Sequence, residues 1–396
     1  MAGEREVVVV GGGPAGVAAA VFLRQKGHDV LLLDEARFPR DKVCGEGISP
    51  EAWPLFRALD AEEAVRALRP HVLRGMTLVA PDQTAFTGRY EPNRPGLALR
   101  RAELDIALLA VARASGVEVF EGARVTGLLR EGGRVRGVRY DGCTAGEAVR
   151  ARLVVGADGR RSVVARHLGL LSEHKHLRKF AVRGYWEGLS GLGDCGEMHV
   201  GGGGYCGIAP LSSSAANVSF VLDRADLRPA GGDLEAFYRE ALTRWPELAD
   251  RLSGAQLSGP PRAIGPLALL ARGVSAPGAL LVGDAAGFYD PFTGEGVTLA
   301  LRSAELAAEV GDRALRRGRT DDLREYDRRR HEATRAKFRF NRLVQQVVAR
   351  PELANAVARR LRRRPALADR LVGIAGDFVP ARTAFGPRFL YDLITA

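Results

Sequence analysis

The chain has 396 residues, 46% of them hydrophobic, and a net charge of +11. That length exceeds one compact core, so two or three domains are expected in an ordinary globular protein. The longest apolar runs are strand-length, short of the ~20 residues of a membrane span, and the first strand starts too near Met1 to leave room for a secretory leader. The four cysteines, Cys44, Cys143, Cys195 and Cys206, form no C-x-x-C pair and have no His cluster beside them. Neither a metal site nor a disulfide framework is therefore expected, and a reducing cytoplasm is the simpler setting.

Val7-Val8-Val9-Val10 is an apolar β-branched run, followed by the glycine turn Gly11-Gly12-Gly13-Pro14-Ala15-Gly16 and a helix to about Lys26 that stops at Gly27. A second buried strand, Asp29 to Leu33, ends on Asp34. Strand, turn, helix, strand and an acid about 20 residues on make a βαβ unit with the G-x-G-x-x-G fingerprint. Gly11 permits the tight turn, Gly13 a close backbone approach to a pyrophosphate, and Gly16 close helix–strand packing. The helix N-terminus offers unpaired N–H groups and the positive dipole end to phosphates. The unit predicts a bound dinucleotide and does not choose between NAD and FAD.

Residues 36–50 read as an ordered loop, with a helix starting at Ser49-Pro50-Glu51. Short strands follow from about Leu73 to Leu99, then an amphipathic helix from Arg101 to Ser115 ended by Gly116. Val117 to Phe120 is a strand, and Val125 to Leu129 with Val135 to Tyr140 reads as a hairpin turning at Glu131-Gly132-Gly133. Leu153-Val154-Val155 is a buried strand ending in Gly156-Ala157-Asp158-Gly159. From Phe180 to Leu222 the pattern is an antiparallel sheet with tight turns, and Leu234 to Leu252 is helical. Ala279 to Val282 is a strand ending in Gly283-Asp284-Ala285-Ala286-Gly287, and Thr293-Gly294-Glu295-Gly296 precedes a long helix from Val297 to about Leu315.

The remainder is mostly helical and basic. Arg313 to Arg370 holds 19 Arg or Lys against 7 Asp or Glu, a net of +12, so this one region accounts for the whole excess. A solvated helix surface is the plainest reading. An anionic membrane surface or an acidic partner would also suit it, whereas no aromatic-interleaved groove points to nucleic acid.

Three glycine-bearing motifs each follow an apolar strand: Gly11 to Gly16, Gly156 to Gly159 and Gly283 to Gly287. Ligands of open parallel sheets sit outside the carboxyl ends of the strands. Together the motifs resemble the p-hydroxybenzoate-hydroxylase-type FAD oxidoreductases, with G-x-G-x-x-G, then D-G, then G-D. The loop Phe38-Pro39-Arg40-Asp41-Lys42-Val43-Cys44-Gly45-Glu46-Gly47 resembles the Lys-x-Cys-Gly-Gly-Gly-type loop of the geranylgeranyl-reductase-like branch, as does Asp290-Pro291-Phe292-Thr293-Gly294-Glu295-Gly296. The likeness runs from about Glu4 to Leu315.

The resemblance implies an α/β fold, α+β overall. A Rossmann-like FAD-binding domain would be built from the discontinuous segments 1–72, 98–165 and 270–315. An antiparallel-sheet substrate domain, 73–97 and 166–269, would be inserted in it, and 316–396 would form a basic helical C-terminal region. Gly11, Gly13, Pro14, Ala15 and Gly16 would hold the FAD diphosphate and Asp34, beside Glu35, the adenosine ribose. Asp284, with Gly283, would take the ribityl hydroxyls or diphosphate. Arg101, in an Arg-x-x-Leu-Asp pattern, matches a flavin-contacting arginine; a surface arginine at a helix start is the alternative, and there its charge opposes the dipole. Arg40, Val125 and Gly159 join the cofactor set, while Asp158 faces phosphates or supports the fold. Pro291, Gly294, Glu295, Gly296 and Val297 would put helix N–H groups at the pyrimidine end of the flavin. Cys44 and Gly45 would lie next to the flavin, Cys44 either shaping the pocket or acting as an acid, since a thiol titrates near about 8.5.

Family reductases carry Tyr-x-Trp-x-Phe-Pro in the substrate pocket; here the stretch reads Tyr205-Cys206-Gly207-Ile208-Ala209-Pro210. The pocket is expected to be roomier, or shaped for something other than a polyprenyl chain, which counts against a prenyl reductase, with Tyr205 as a second catalytic candidate. The Trp-x-Trp-x-Ile-Pro motif of related halogenases is absent, which argues against halogenation. One dinucleotide fingerprint implies transient NAD(P)H, or another reductant, as electron donor. The leading expectation is a reductase of C=C bonds in an isoprenoid or other small apolar substrate. An FAD monooxygenase and a non-catalytic flavin-binding partner are the alternatives.

Overall fold

In the computed structural model, which describes residues 4–142, 144, 146–173, 179–227 and 232–394, the leading segment folds as a βαβ unit. Cys143 lies outside the described residues. Strand β1 (Glu4–Val10) leads into helix α1 (Pro14–Gln25) and strand β2 (Val30–Asp34). The strands pair in parallel, Val7 opposite Val30 through Val10 opposite Leu33. The strands are buried on both faces here, so their runs are continuously apolar rather than alternating. The turn between β1 and α1 admits no side chain at two positions. Gly11 has φ +104°, and a Cβ there would lie 2.5 Å from Ala157 O; a Cβ on Gly16 would lie 1.7 Å from Gly11 O.

Downstream come α2 (Arg101–Ala114), β3 (Glu118–Glu121) and β4 (Glu147–Gly156), then β5 (Lys179–Glu187), β6 (Gly196–Gly201), β7 (Gly204–Pro210) and β8 (Ala215–Asp223). Strand β9 (Ala279–Leu281) and helices α3 (Gly296–Arg316), α4 (Arg324–Val348), α5 (Pro351–Arg363) and α6 (Pro365–Ala375) follow. The first sheet runs β9-β4-β1-β2-β3, all parallel, with the hairpin Arg124–Glu131/Arg134–Asp141 attached to β4. Val10 pairs with Gly156 and Gly156 with Leu281. That register brings the three glycine-bearing strand ends to one edge.

The second sheet has the order β5-β8-β7-β6, extended by Gly75–Val79 and Ala85–Arg89. It is antiparallel except where Gly75–Val79 runs parallel to β6. That strand enters from a distant part of the chain, so no hairpin dictates its direction. Two helix expectations need correction. Leu234 to Leu252 is two helices, Leu234–Leu242 and Pro246–Leu252, because Pro246 lacks an N–H and its ring blocks the preceding turn. The helix expected at Ser49 starts at Ala52, and Ser49 Oγ is 2.7 Å from Thr298 Oγ1 on α3 instead of capping.

The C-terminal helices close over the second sheet. A Cβ on Gly88 would meet Ala368 O of α6 at 2.5 Å, and Phe86, Phe340, Leu361, Leu367, Ile374 and Phe389 form a shared apolar core. One buried cation ties this region to α3. Lys337 of α4, 3% exposed, places Nζ 2.8 Å from Glu295 Oε1 and 2.8 Å from Asp377 Oδ1, and donates to Ile374 O at 2.5 Å. Removing one partner of a buried pair leaves an uncompensated charge. At pH 9, where the Glu295 carboxyl is ionised, Lys337→Met is therefore expected to lower the unfolding free energy in denaturant by roughly 3–5 kcal/mol, with Glu295→Gln in the same chain recovering much of the loss. A wild-type unfolding midpoint for Lys337→Met would show that the tie carries no stability.

Candidate functional site

An open cavity lies where the parallel sheet's strand ends face the second sheet. On one side it is lined by Gly13–Ala15 at the start of α1, Gly283 and Asp284 after β9, and Gly294, Gly296 and Val297 at the start of α3. Gly13 and Glu295, the residues at the two helix starts, provide no side-chain cap to the first-turn N–H groups. Those donors stay open to a ligand, and both helix dipoles point their positive ends at the same space. Lys42, Arg101 and Arg160 also line it. Burial pushes the Lys42 ammonium below the usual lysine range, with Asp284 opposing the shift. Two open helix ends, three cations and a glycine turn tight enough for backbone contact fit a dinucleotide diphosphate. Gly11 and Gly16 stand behind this wall and set the turn.

The facing wall comes from the second sheet. Along β7, Tyr205, Gly207 and Ala209 alternate onto the cavity side, and Met76, Met198, Val221, Ile264, Leu267, Phe288 and Phe292 complete an apolar lining. The space beside Gly207 is partly taken by Met198, whose Cε would lie 3.5 Å from an added Cβ. Tyr205 is 3% exposed, donates its O–H to Asp290 Oδ1 at 2.7 Å and meets the Phe292 ring edge-on at 4.9 Å. Burial, then the Asp290 charge, push its hydroxyl well above the usual tyrosine range.

Between the walls runs the loop 42–49. Cys44 Sγ accepts from Glu46 N at 3.3 Å, and Arg101 lies beside the same thiol. Arg101 forms two 3.0 Å bonds to Asp105 from a 7% exposed position, so it is a buried member of the cavity wall rather than a surface arginine. The loop is held by Glu46, a residue the cofactor set above omitted. Glu46 is 1% exposed and has φ +61°. Its Oε1 accepts from Arg101 N at 2.9 Å and Tyr185 O–H at 2.6 Å, and its Oε2 from Asn217 Nδ2 at 3.1 Å. Asn217 also donates to Cys44 O at 2.9 Å. Burial raises the Glu46 carboxyl despite these donors. A non-glycine residue at the third position of a Cys-Gly-Gly-Gly-type loop was the available signal.

Other expected residues lie off the cavity lining. Asp34 accepts from Gly12 N at 2.5 Å and Ala36 N at 2.7 Å, bracing the glycine turn at the end of β2. Glu35 is exposed, 3.8 Å from Arg124, and Val125 is a buried strand residue paired with Tyr140. Arg40 reaches Asp105 at 3.4 Å and stacks on Phe38. Asp158 accepts from Ser162 Oγ at 2.5 Å and Val163 N at 2.6 Å, at the start of the short helix that follows it. The Glu295 carboxyl turns to Lys337, away from this cavity, and burial pushes it up to about 8. Gly45, Gly159 and Pro291 line the cavity.

Replacing Glu46 by Ala removes the acceptor for three donors on three segments. Cys44 is then expected to be alkylated by iodoacetamide roughly ten-fold faster or more, as the loop loses about 1 kcal/mol per bond, read by peptide mass spectrometry with Glu46→Gln intermediate. An unchanged rate would mean that Glu46 does not restrain the loop.

Residues 4–341 match the FAD binding domain family model. A menaquinone reductase of Mycolicibacterium smegmatis is 32% identical over 319 residues, covering 77% of this chain and 76% of that protein. Digeranylgeranylglycerophospholipid reductase 1 of Methanococcoides burtonii is 30% identical over 342 residues (83% and 80%), and a tryptophan 2-halogenase of Chondromyces crocatus is 31% identical over 314 (76% and 60%). Among solved structures, a geranylgeranyl bacteriochlorophyll reductase-like protein of Thermoplasma acidophilum superposes with TM-score 0.82 over 100% of both chains at 22% identity, a likeness of fold. A myxobacterial chondrochloren halogenase gives 0.79 over 85% of this chain and 80% of that one, at 26% identity. The chain belongs to the FAD-binding domain family and is an FAD-dependent oxidoreductase of the hydroxylase-type superfamily, with reductases and halogenases among its relatives.

Proposed function

We propose that this enzyme reduces carbon–carbon double bonds in a long isoprenoid substrate, such as the side chain of a quinone or of an ether lipid. The observation that carries this reading is the apolar wall opposite the flavin-binding helix ends, with small residues at Gly207 and Ala209 where bulk would close it. The menaquinone and digeranylgeranylglycerophospholipid reductases among the relatives support it. Reduced FAD, when bound, supplies the hydride, with NAD(P)H or another reductant as the source of electrons.

The residues divide the remaining work. The sulfur-and-methyl-rich wall of Met76 and Met198 adapts to an irregular chain and excludes water. Cys44, on the braced loop, delivers a proton to the carbon left electron-rich by hydride addition, and solvent restores that proton. Tyr205 keeps its own proton on Asp290, so its part is to form the wall rather than to act as the acid.

Anaerobic turnover of the FAD-loaded protein with dithionite and a polyprenyl quinone or geranylgeranyl lipid is expected to give an isoprenoid chain heavier by two hydrogens, read on side-chain fragments after any quinol has been reoxidised to the quinone. An oxygen or halogen atom in the product, or a strict need for O₂, would overturn the reading. Cys44→Ser is expected to keep its flavin and lose roughly 10²-fold in rate; turnover at the wild-type rate would remove Cys44 from the chemistry. Gly207→Trp fills the apolar half of the cavity. It is expected to raise KM for a twenty-carbon chain far more than for a ten-carbon one, and equal effects on both would place the chain elsewhere.

A further inference from the structure

We propose that the outer face of α4 and the corner between α4 and α5 dock the protein onto an anionic lipid bilayer. Arg324, Arg328, His331, Arg335, Arg339 and Arg342 follow one another at intervals of three or four residues, and all six are exposed. Eighteen residues make five turns, so the row is a straight line of about 27 Å. Among the described residues, Arg324, Arg328, Arg335 and Arg342 form no ion pair, while Arg339 lies over the Phe385 ring. Glu332 flanks the row; of the acids near its start, Glu325 is taken by Arg313, while Asp321 and Asp322 are exposed and Asp322 accepts from Arg324 N at 3.3 Å. Like charges at this spacing repel one another along a helix. An extended anionic surface relieves that repulsion.

Two features favour lipid over nucleic acid. The row ends at exposed apolar residues, Leu343 at 38% and Leu353, on the first turn of α5, at 40%, with exposed Arg350 between them. Basic residues bordering exposed leucines suit a bilayer interface. The inner face of the same helix end backs the cavity wall: Gln345 donates to Asp290 at 2.8 Å, and Val348 packs with Tyr205, Met198 and Leu267. A membrane on the outer face would thus lie one helix diameter from the apolar wall.

The test uses the FAD-loaded full chain and vesicles of phosphatidylcholine with or without one-quarter phosphatidylglycerol. At about 0.1 M salt, co-sedimentation is expected only with the anionic vesicles and is expected to fall steeply with added salt. Each basic residue at such a surface contributes about five-fold, so Arg328→Gln/Arg335→Gln/Arg342→Gln should bind roughly a hundred-fold more weakly, with flavin content and melting temperature unchanged. Leu343→Ser/Leu353→Ser should weaken binding without changing its salt dependence. The proposal fails if the wild type ignores anionic vesicles, binds both kinds equally or is displaced from them by equimolar duplex DNA, or if the arginine variant binds as the wild type does. Vesicle binding is read without turnover, so its outcome is separate from that of the reductase reading.

Discussion

One buried carboxylate holds the two halves of the site in register. Glu46 collects the first N–H of α2, the Tyr185 hydroxyl on β5 and the Asn217 amide on β8. One helix and two strands of the second sheet therefore meet on two oxygens. The left-handed backbone at Glu46 costs on the order of 1–2 kcal/mol for a side chain with a Cβ. Three hydrogen bonds to a desolvated carboxylate offset that cost. Without this acceptor, the loop bearing Cys44 would keep the Asn217 bond to the Cys44 carbonyl, the Leu99 N bond to Glu46 O and, at its start, the Asp41 pairs with Arg183 and Arg262.

The parallel half of the fold was legible because its signals are local. Four valines, a glycine turn and a terminal acid are contiguous in the chain, and steric exclusion at Gly11 and Gly16 makes those glycines necessary. The same logic located the ends of β4 and β9. What stayed hidden depends on meetings between distant segments. Nothing near Glu46 in the chain announces Tyr185 or Asn217, and nothing near Glu295 announces Lys337, 42 residues on. Asp158 stood open between two roles because an acid beside glycines looks the same whether it faces a phosphate or a helix end; its carboxylate accepts from Ser162 and Val163.

The departure in the pocket motif follows from the same geometry. Strand β7 shows alternate residues to the cavity, so the tryptophan and phenylalanine of the family pattern would both project into it. Gly207 and Ala209 withdraw that bulk, and Met198 recovers part of the space with a flexible side chain. The result is one cavity with a polar, cationic half framed by helix ends and an apolar half framed by the second sheet. That division suits a flavin and a long hydrocarbon lying against each other, and Cys44 stands on the boundary.

The central claim is that these two halves act as one site, and titration of the oxidised, FAD-loaded protein with a polyprenyl chain under argon tests it most directly. An apolar chain packed beside the flavin replaces water there and changes the dielectric around the ring. A saturable change in the visible flavin absorbance, complete at one chain per protein, is expected. A flavin spectrum unaltered while the chain demonstrably binds would contradict it.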